Sequence, residues 1–297
     1  MLRLVSIAYR IPSVKRLLWR SWYEFLARRY RDWQWTFMNY GHRSPHGMAT
    51  SALTPKDEPD RSCIQLYQLV AGAVELAGRE VLEVGSGRGG GASFVARHLR
   101  PSRLVGVDLS PRSVAFCRRR HAVPGLSFEV GNAERLGFAG GSFDAVLNVE
   151  SSHCYGDLGA FLREVRRVLR PDGHFLYADF RARTELDGWR ARLIATGLRL
   201  LVERDITSGV VAALDADHET KRGLIEARVA RPLVRAFCQF VALRGTMLYD
   251  RFRDGSVVYR MFVFQNSAAG LSHSSGGGSQ WNFPDAPAAT SCSSRAN

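Results

Sequence analysis

The stretch EVLEVGSGRGGGAS, residues 80–93, limits the possible folds of this chain more than any other. A short apolar run breaks into closely spaced glycines and then turns into a helical pattern. Such a segment forms a buried strand, a sharp turn and a helix start, because glycine alone adopts positive φ freely and lets a ligand approach backbone N–H groups. Gly85, Gly87 and Gly90 satisfy G-x-G-x-x-G, the spacing of a dinucleotide clamp. Glu83, Gly85, Gly87 and Gly89 also read E-x-G-x-G-x-G, which fits a sulfonium nucleoside.

The pattern after this turn alternates. SRLVGVDLS, LSFEVGNA, SFDAVLNVES and HFLYADF read as strands, and GGASFVARHL, PRSVAFCRRRHA and LGAFLREVRRVL as helices. Strands alternating with helices predict an α/β fold with a doubly wound, mostly parallel sheet. CIQLYQLVAGAVELAG, just before it, reads as a helix ended by Gly78. Residues 185–242 read as a helical cap without strands. GTMLYDRFRDGSVVYRMFVFQ reads as two strands about an RDG turn, a hairpin that ends a seven-stranded sheet with a reversed strand. The expected organisation is an N-terminal helical lid (1–62), the core (63–184), the cap (185–242), the hairpin (243–266) and a disordered Ser/Gly/Ala tail (267–297).

Charge is uneven. The net charge is +13, and residues 1–31 hold eight Lys or Arg against one acid, Glu24. Residues 14–38 interleave these cations with Trp, Tyr, Phe and Leu at helical spacing, predicting one or two amphipathic helices. Such a face suits peripheral contact with anionic membrane, or nothing more than solvent. Five scattered cysteines without a C-x-x-C pair argue against a disulfide framework or zinc site and fit a reducing compartment. No apolar run approaches the roughly 20 residues of a membrane span. A cytoplasmic protein is expected.

Three features decide between hydride and methyl chemistry. Glu83 beside the turn opposes a pyrophosphate and favours an ammonium-bearing methionine. GNAE, residues 131–134, follows the third strand, where an adenine would lie. The reversed last strand departs from the all-parallel dinucleotide fold. The order VLEVGSGRGG, GVDLS, GNAERLGF, FDAVLNVESSHCY and EVRRVLRPDGHFLYADF resembles the class I S-adenosylmethionine-dependent methyltransferases over residues 63–265. DEPDRSCIQLY, GRGGGASF, NVESSHCY and SVVYRMFVF resemble, more narrowly, the phthiotriol/phenolphthiotriol dimycocerosate methyltransferases, which O-methylate a lipid hydroxyl.

The resemblance implies S-adenosylmethionine as cofactor and a lipid, polyketide or glycosylated small molecule as acceptor. It places Glu83, Gly85, Ser86 and Gly87 around the methionine end, with Asp108 and Leu109 at ribose and adenine. Asn132, Ala133 and Glu134 edge the adenine, and Asn148 is a further cofactor candidate. Asn132 stands where many relatives carry Asp, which implies weaker adenine recognition. An alcohol needs a base near neutral pKa, and His153 in NVESSHCY is the candidate, with Glu150 orienting it or touching the cofactor. Tyr155, Trp22 and Tyr40 are substrate candidates, and the aromatic N-terminal segment a roof over the site. No metal spacing is evident. C- or N-methylation on the same scaffold, or action on nucleic acid, are the alternatives, although no N/D-P-P-Y motif occurs in the fourth-strand region.

Overall fold

The computed structural model describes residues 35–44 and 53–267, together with Val14, Leu17, Trp19, Ser21, Glu24, Phe25 and Arg28 of the N-terminal segment. Helix α1 (Arg61–Ala71) leads into β1 (Glu80–Val84), α2 (Gly90–His98), β2 (Arg103–Asp108), α3 (Pro111–Arg120), β3 (Leu126–Val130) and β4 (Phe143–Val149). Then come α4 (Leu158–Val168), β5 (Leu169–Ala182), α5 (Leu186–Ile194), β6 (Arg199–Asp205) and α6 (Thr207–Ala216). Helices α7 (His218–Arg228), α8 (Arg231–Phe240) and α9 (Met247–Arg253) precede β7 (Val257–Gln265).

The strands form one seven-stranded sheet, ordered β3-β2-β1-β4-β5-β7-β6. Pairings from β3 through β5 are parallel. β7 runs antiparallel to both β5 and β6. The expected α/β class and reversed terminal strand are therefore present. β7 reads VVYRMFVFQ because it lies inside the sheet with both faces covered, so apolar side chains point both ways. Phe262 and Phe264 stack with Phe175 and Tyr177 of β5 on one face, while Tyr259, Met261 and Val263 fill the other. Truncating a fully buried phenylalanine such as Phe262 is worth about 3–5 kcal/mol.

Three expectations change. The segment 185–242 does contain a strand, β6. It pairs on one side only, and most of its residues are half-buried, so its period-two signal is weak among helices. The first arm of the expected hairpin is the helix α9. Thr246 caps it by accepting from the Tyr249 N–H, and Tyr249 and Phe252, three apart, both enter the core. Strand-favouring residue types lost to helical spacing, and the antiparallel partner of β7 is β6 instead. Helix α1 stops at Ala71, where Gly72 caps it, well before Gly78. The tail beyond residue 267 and the bulk of the expected lid lie outside the described residues. Among the described residues no helix is long and apolar enough to cross a membrane.

Candidate active site

The carboxyl ends of β1, β2 and β4 open onto a cleft of about 1000 Å³ whose floor is the glycine turn. Gly85, Gly87 and Gly89 all have positive φ, as the E-x-G-x-G-x-G spacing demands. Gly85 and Ser86 donate to the Val107 carbonyl, and Gly87 donates to Asp108 Oδ2 at 2.9 Å, tying the turn to the end of β2. A Cβ on Gly85 would lie 2.4 Å from Ser151 Oγ, and one on Gly91 1.8 Å from the Tyr67 ring. On Gly87 it would meet only Met38 Sδ, at 3.5 Å. That glycine faces the cleft.

Asp108 lines the cleft. Its carboxylate accepts from Gly87 and Ser110 N–H, and burial pushes its pKa up to about 6. Leu109, Ala133 and Glu134 line the same wall. Asn132 Oδ1 accepts from the Glu134 N–H, so its amide N–H₂ is the end left for a ligand, where the sequence suggested its carbonyl. Glu134 Oε1 accepts from Gly156 and Asp157 N–H, clamping the loop after β4. Ser86 Oγ is buried at the cleft without a protein partner, an orphan that a bound ligand would satisfy. The cradle and this orphan fit an S-adenosylmethionine-sized group.

Two expected cofactor residues sit one layer back. Glu83 accepts from Tyr67 Oη at 2.6 Å, and burial pushes its pKa up to about 7. Its Oε2 has no partner. Asn148 is wholly buried, and Nδ2 donates to Val84 O, Ser151 Oγ and Tyr155 Oη. Neither lines the cleft; both brace the turn from beneath.

A second, wider hollow of about 2650 Å³ adjoins the first. Trp19, Met38, Glu150 and Tyr155 border both. Its wall includes Tyr40, Phe180, Trp189, Phe240, Leu248 and Val257, drawn from the stretch before α1, from β5, from the segment between β5 and β7, and from the start of β7. His153, on a short 3-10 turn after β4, lines this hollow and not the cleft. Its Nδ1 lies 2.9 Å from Asp179 Oδ1, its ring packs between Trp19 and Phe180, and its backbone N–H donates to Asp179 Oδ2. Burial opposes the imidazolium, yet Cys154 and the Asp179 carboxylate raise its pKa well above the ordinary histidine value. Asp179 is fully buried and also pairs with Arg181 at 3.2 Å. Burial alone would lift its carboxyl, but Arg181 and His153 hold it far below the usual range.

Glu150 has φ +51°, a left-handed conformation rare outside glycine. Its Oε2 accepts from Tyr40 N–H (2.9 Å) and Tyr259 Oη (3.0 Å), and burial pushes its pKa up to about 8. It does not hydrogen-bond His153, whose orienting acid is Asp179. Tyr155 spends its hydroxyl on Asn148 and Ser151. Trp22 lies outside the described residues. Of the expected roof, Trp19 borders both cavities, Trp35 packs on Phe240, and Phe37 enters the core against Tyr67. Glu24 accepts from Ser110 Oγ and Arg112, holding the N-terminal segment against the start of α3. Sequence reasoning missed Arg181 and Tyr259; their only signal is alternation along β5 and β7, which places both near the sheet's carboxyl edge. Among the described residues no group of three or more His, Cys, Asp or Glu could hold a metal ion.

The family model described as a methyltransferase domain matches residues 82–177, from the strand before the glycine turn to the middle of β5. The phthiotriol/phenolphthiotriol dimycocerosates methyltransferase of Mycobacterium tuberculosis is 40% identical over 252 residues, 85% of this chain and 93% of its own. The fatty-acid O-methyltransferase of Mycolicibacterium smegmatis is 40% identical over 246 residues, 83% of this chain and 89% of its own. The geranyl diphosphate C-methyltransferase of Streptomyces coelicolor, solved with Mg2+, geranyl diphosphate and S-adenosyl-L-homocysteine, shares the fold. Its TM-score is 0.58 at 17% identity, over 82% of this chain and 97% of that one. The chain is thus an S-adenosylmethionine-dependent methyltransferase of the class I fold and belongs to the phthiotriol/phenolphthiotriol dimycocerosates methyltransferase family.

Proposed function

We propose that this enzyme methylates an oxygen, most simply a hydroxyl, of a lipid-like acceptor that occupies the wider hollow while S-adenosylmethionine occupies the cleft. The observation that carries this reading is the shared wall: Trp19, Met38, Glu150 and Tyr155 border both cavities, so the two ligands would meet there. S-adenosylmethionine supplies the methyl, which passes in line to the acceptor oxygen while the electron pair of the broken carbon–sulfur bond stays on sulfur. Asp108 would take the ribose hydroxyls, and the unpartnered Ser86 Oγ would meet the methionine end.

Holding the acceptor oxygen about 3 Å from the methyl carbon supplies much of the rate. Phe180, Phe240, Leu248 and Val257 offer an acyl or polyketide chain the apolar wall it needs, while Arg181, Arg192 and Arg251 line the same hollow. The names of the mycobacterial relatives support a lipid acceptor. His153 and Asp179 form an oriented pair beside that acceptor. Acting as the base would require His153 first to surrender the proton that Asp179 helps it retain, so the pair serves to hold that side of the hollow in place.

The test is incubation with methyl-labelled S-adenosylmethionine and long-chain alcohols, diols and lipid extract, followed by mass spectrometry. A methyl ether on a long-chain product supports the reading. Label on carbon, on nitrogen or on nucleic acid rejects it.

A further inference from the structure

Resting on the reading above, we propose that Glu150 is the group that accepts the proton of the acceptor hydroxyl during methyl transfer. Position argues first. Glu150 borders both the cleft and the hollow, whereas His153 borders only the hollow. A proton acceptor must reach the nucleophilic oxygen at the point where it meets the methyl, and that point lies on the shared wall.

Geometry argues second. Tyr40 N–H and Tyr259 Oη both donate to Oε2, which fixes the carboxylate, while Oε1 has no partner among the described residues. A carboxylate gripped by one oxygen and open at the other is pre-organised to receive a proton. The left-handed φ of +51° at a non-glycine residue, at the end of β4, is strain of a kind that clusters at functional sites.

Charge argues third. Tyr40, Tyr67, Tyr259, Cys63, His153 and Asp179 are the titratable groups that bear on Glu150. Asp179 is ion-paired with His153 and Arg181, so it cannot take a further proton without breaking two pairs. Asp108 and Glu134 line only the cleft and Glu185 only the hollow, so Glu150 is the carboxylate on the shared wall. Burial lifts its pKa to about 8, and a sulfonium bound alongside would lower it again, charging the base when the cofactor is present. In the step, the hydroxyl proton moves to Glu150 as that oxygen bonds to the methyl carbon and the carbon–sulfur pair stays on sulfur. Glu150 then returns the proton to water through the open hollow.

The experiment joins turnover to proton counting. Calorimetric titration of S-adenosylmethionine into the free enzyme, in buffers of different ionisation enthalpy, should show proton release near pH 7.5 that Glu150→Gln abolishes. The same variant should lose turnover about 100-fold or more while binding S-adenosylhomocysteine within about threefold of wild type. Tyr259→Phe removes a donor to the charged carboxylate, so the acidic limb of its pH–rate profile should move to higher pH. Unchanged proton release in Glu150→Gln, turnover within tenfold of wild type, or an unmoved limb in Tyr259→Phe would each overturn the assignment. Absence of label on any lipid oxygen with the wild-type enzyme would instead sink the O-methylation reading, and the proton-release result would stand apart from it.

Discussion

The cleft and the hollow are built on opposite plans. The cleft is assembled from backbone: the turn at residues 85–91, the ends of β2 and β3, and N–H groups tied by Asp108. The hollow is assembled from side chains of the turn after β4, β5, α5, α8, α9 and β7, none of them contiguous. A binding surface made of backbone tolerates change in most side chains and fails at its glycines and at Asp108, the carboxylate that ties their N–H groups. A surface made of side chains can be retuned residue by residue, but it depends on buried charges that must stay paired. The first suits a fixed cofactor and the second a variable acceptor.

The largest expected effect tests the hollow. Asp179 neutralises two buried cations, and Asp179→Asn keeps its shape while leaving His153 and Arg181 unpaired. We expect a loss of about 3–5 kcal/mol in denaturant unfolding, with S-adenosylhomocysteine affinity of the folded protein little changed. A large drop in cofactor affinity would show that the two regions are one unit. Next comes the cleft. Gly85→Ala places a methyl 2.4 Å from Ser151 Oγ at a φ of +78°, and S-adenosylhomocysteine binding by calorimetry should weaken about 100-fold. Affinity within a few-fold of wild type would mean that the turn yields.

How much of this was legible in the sequence follows from the same division. The strands β1 to β5 and β7, the glycine turn, Asp108 and the edge at residues 132–134 could be read because each is a contiguous segment carrying its own pattern. Even there, Glu83 and Asn148 were read as ligand contacts, although they brace the turn from behind. Sequence spacing places a residue beside a turn and does not say on which side. The hollow was legible at His153, Glu150 and Tyr155, from one motif, and at Tyr40. Its partners Asp179, Arg181 and Tyr259 arrive through the pairing of β5 with β7, which depends on the sheet closing. β6 was invisible because an edge strand paired on one side needs no strong alternation.

A smaller effect concerns pH. His153 has its folded pKa raised above the ordinary 6.5. Its imidazolium therefore contributes stability that is fully present below about pH 6.5 and is lost as pH rises through the folded value. His153→Gln should melt roughly 5 °C below wild type at pH 7, and the gap should narrow steadily as pH rises toward 10. A gap that widens with pH would mean that the buried ring is neutral and that Asp179 pairs with Arg181 alone.

The smallest effect returns to the cleft and to Asn132. Asn132 uses its carbonyl to accept from Glu134 N–H, so its N–H₂ occupies the position where an aspartate would present a second oxygen. An adenine amino group facing that position would meet donor with donor. Asn132→Asp keeps the turn, since one carboxylate oxygen still accepts from Glu134, and it offers the other to the amino group. S-adenosylhomocysteine should then bind about three- to tenfold tighter, the worth of roughly one hydrogen bond to a charged group. Asp108 stands in the same cleft with a pKa already lifted by burial, and repulsion from the new charge trims the gain. Weaker binding by the variant would mean that the amide of Asn132 donates to a ring nitrogen of the adenine.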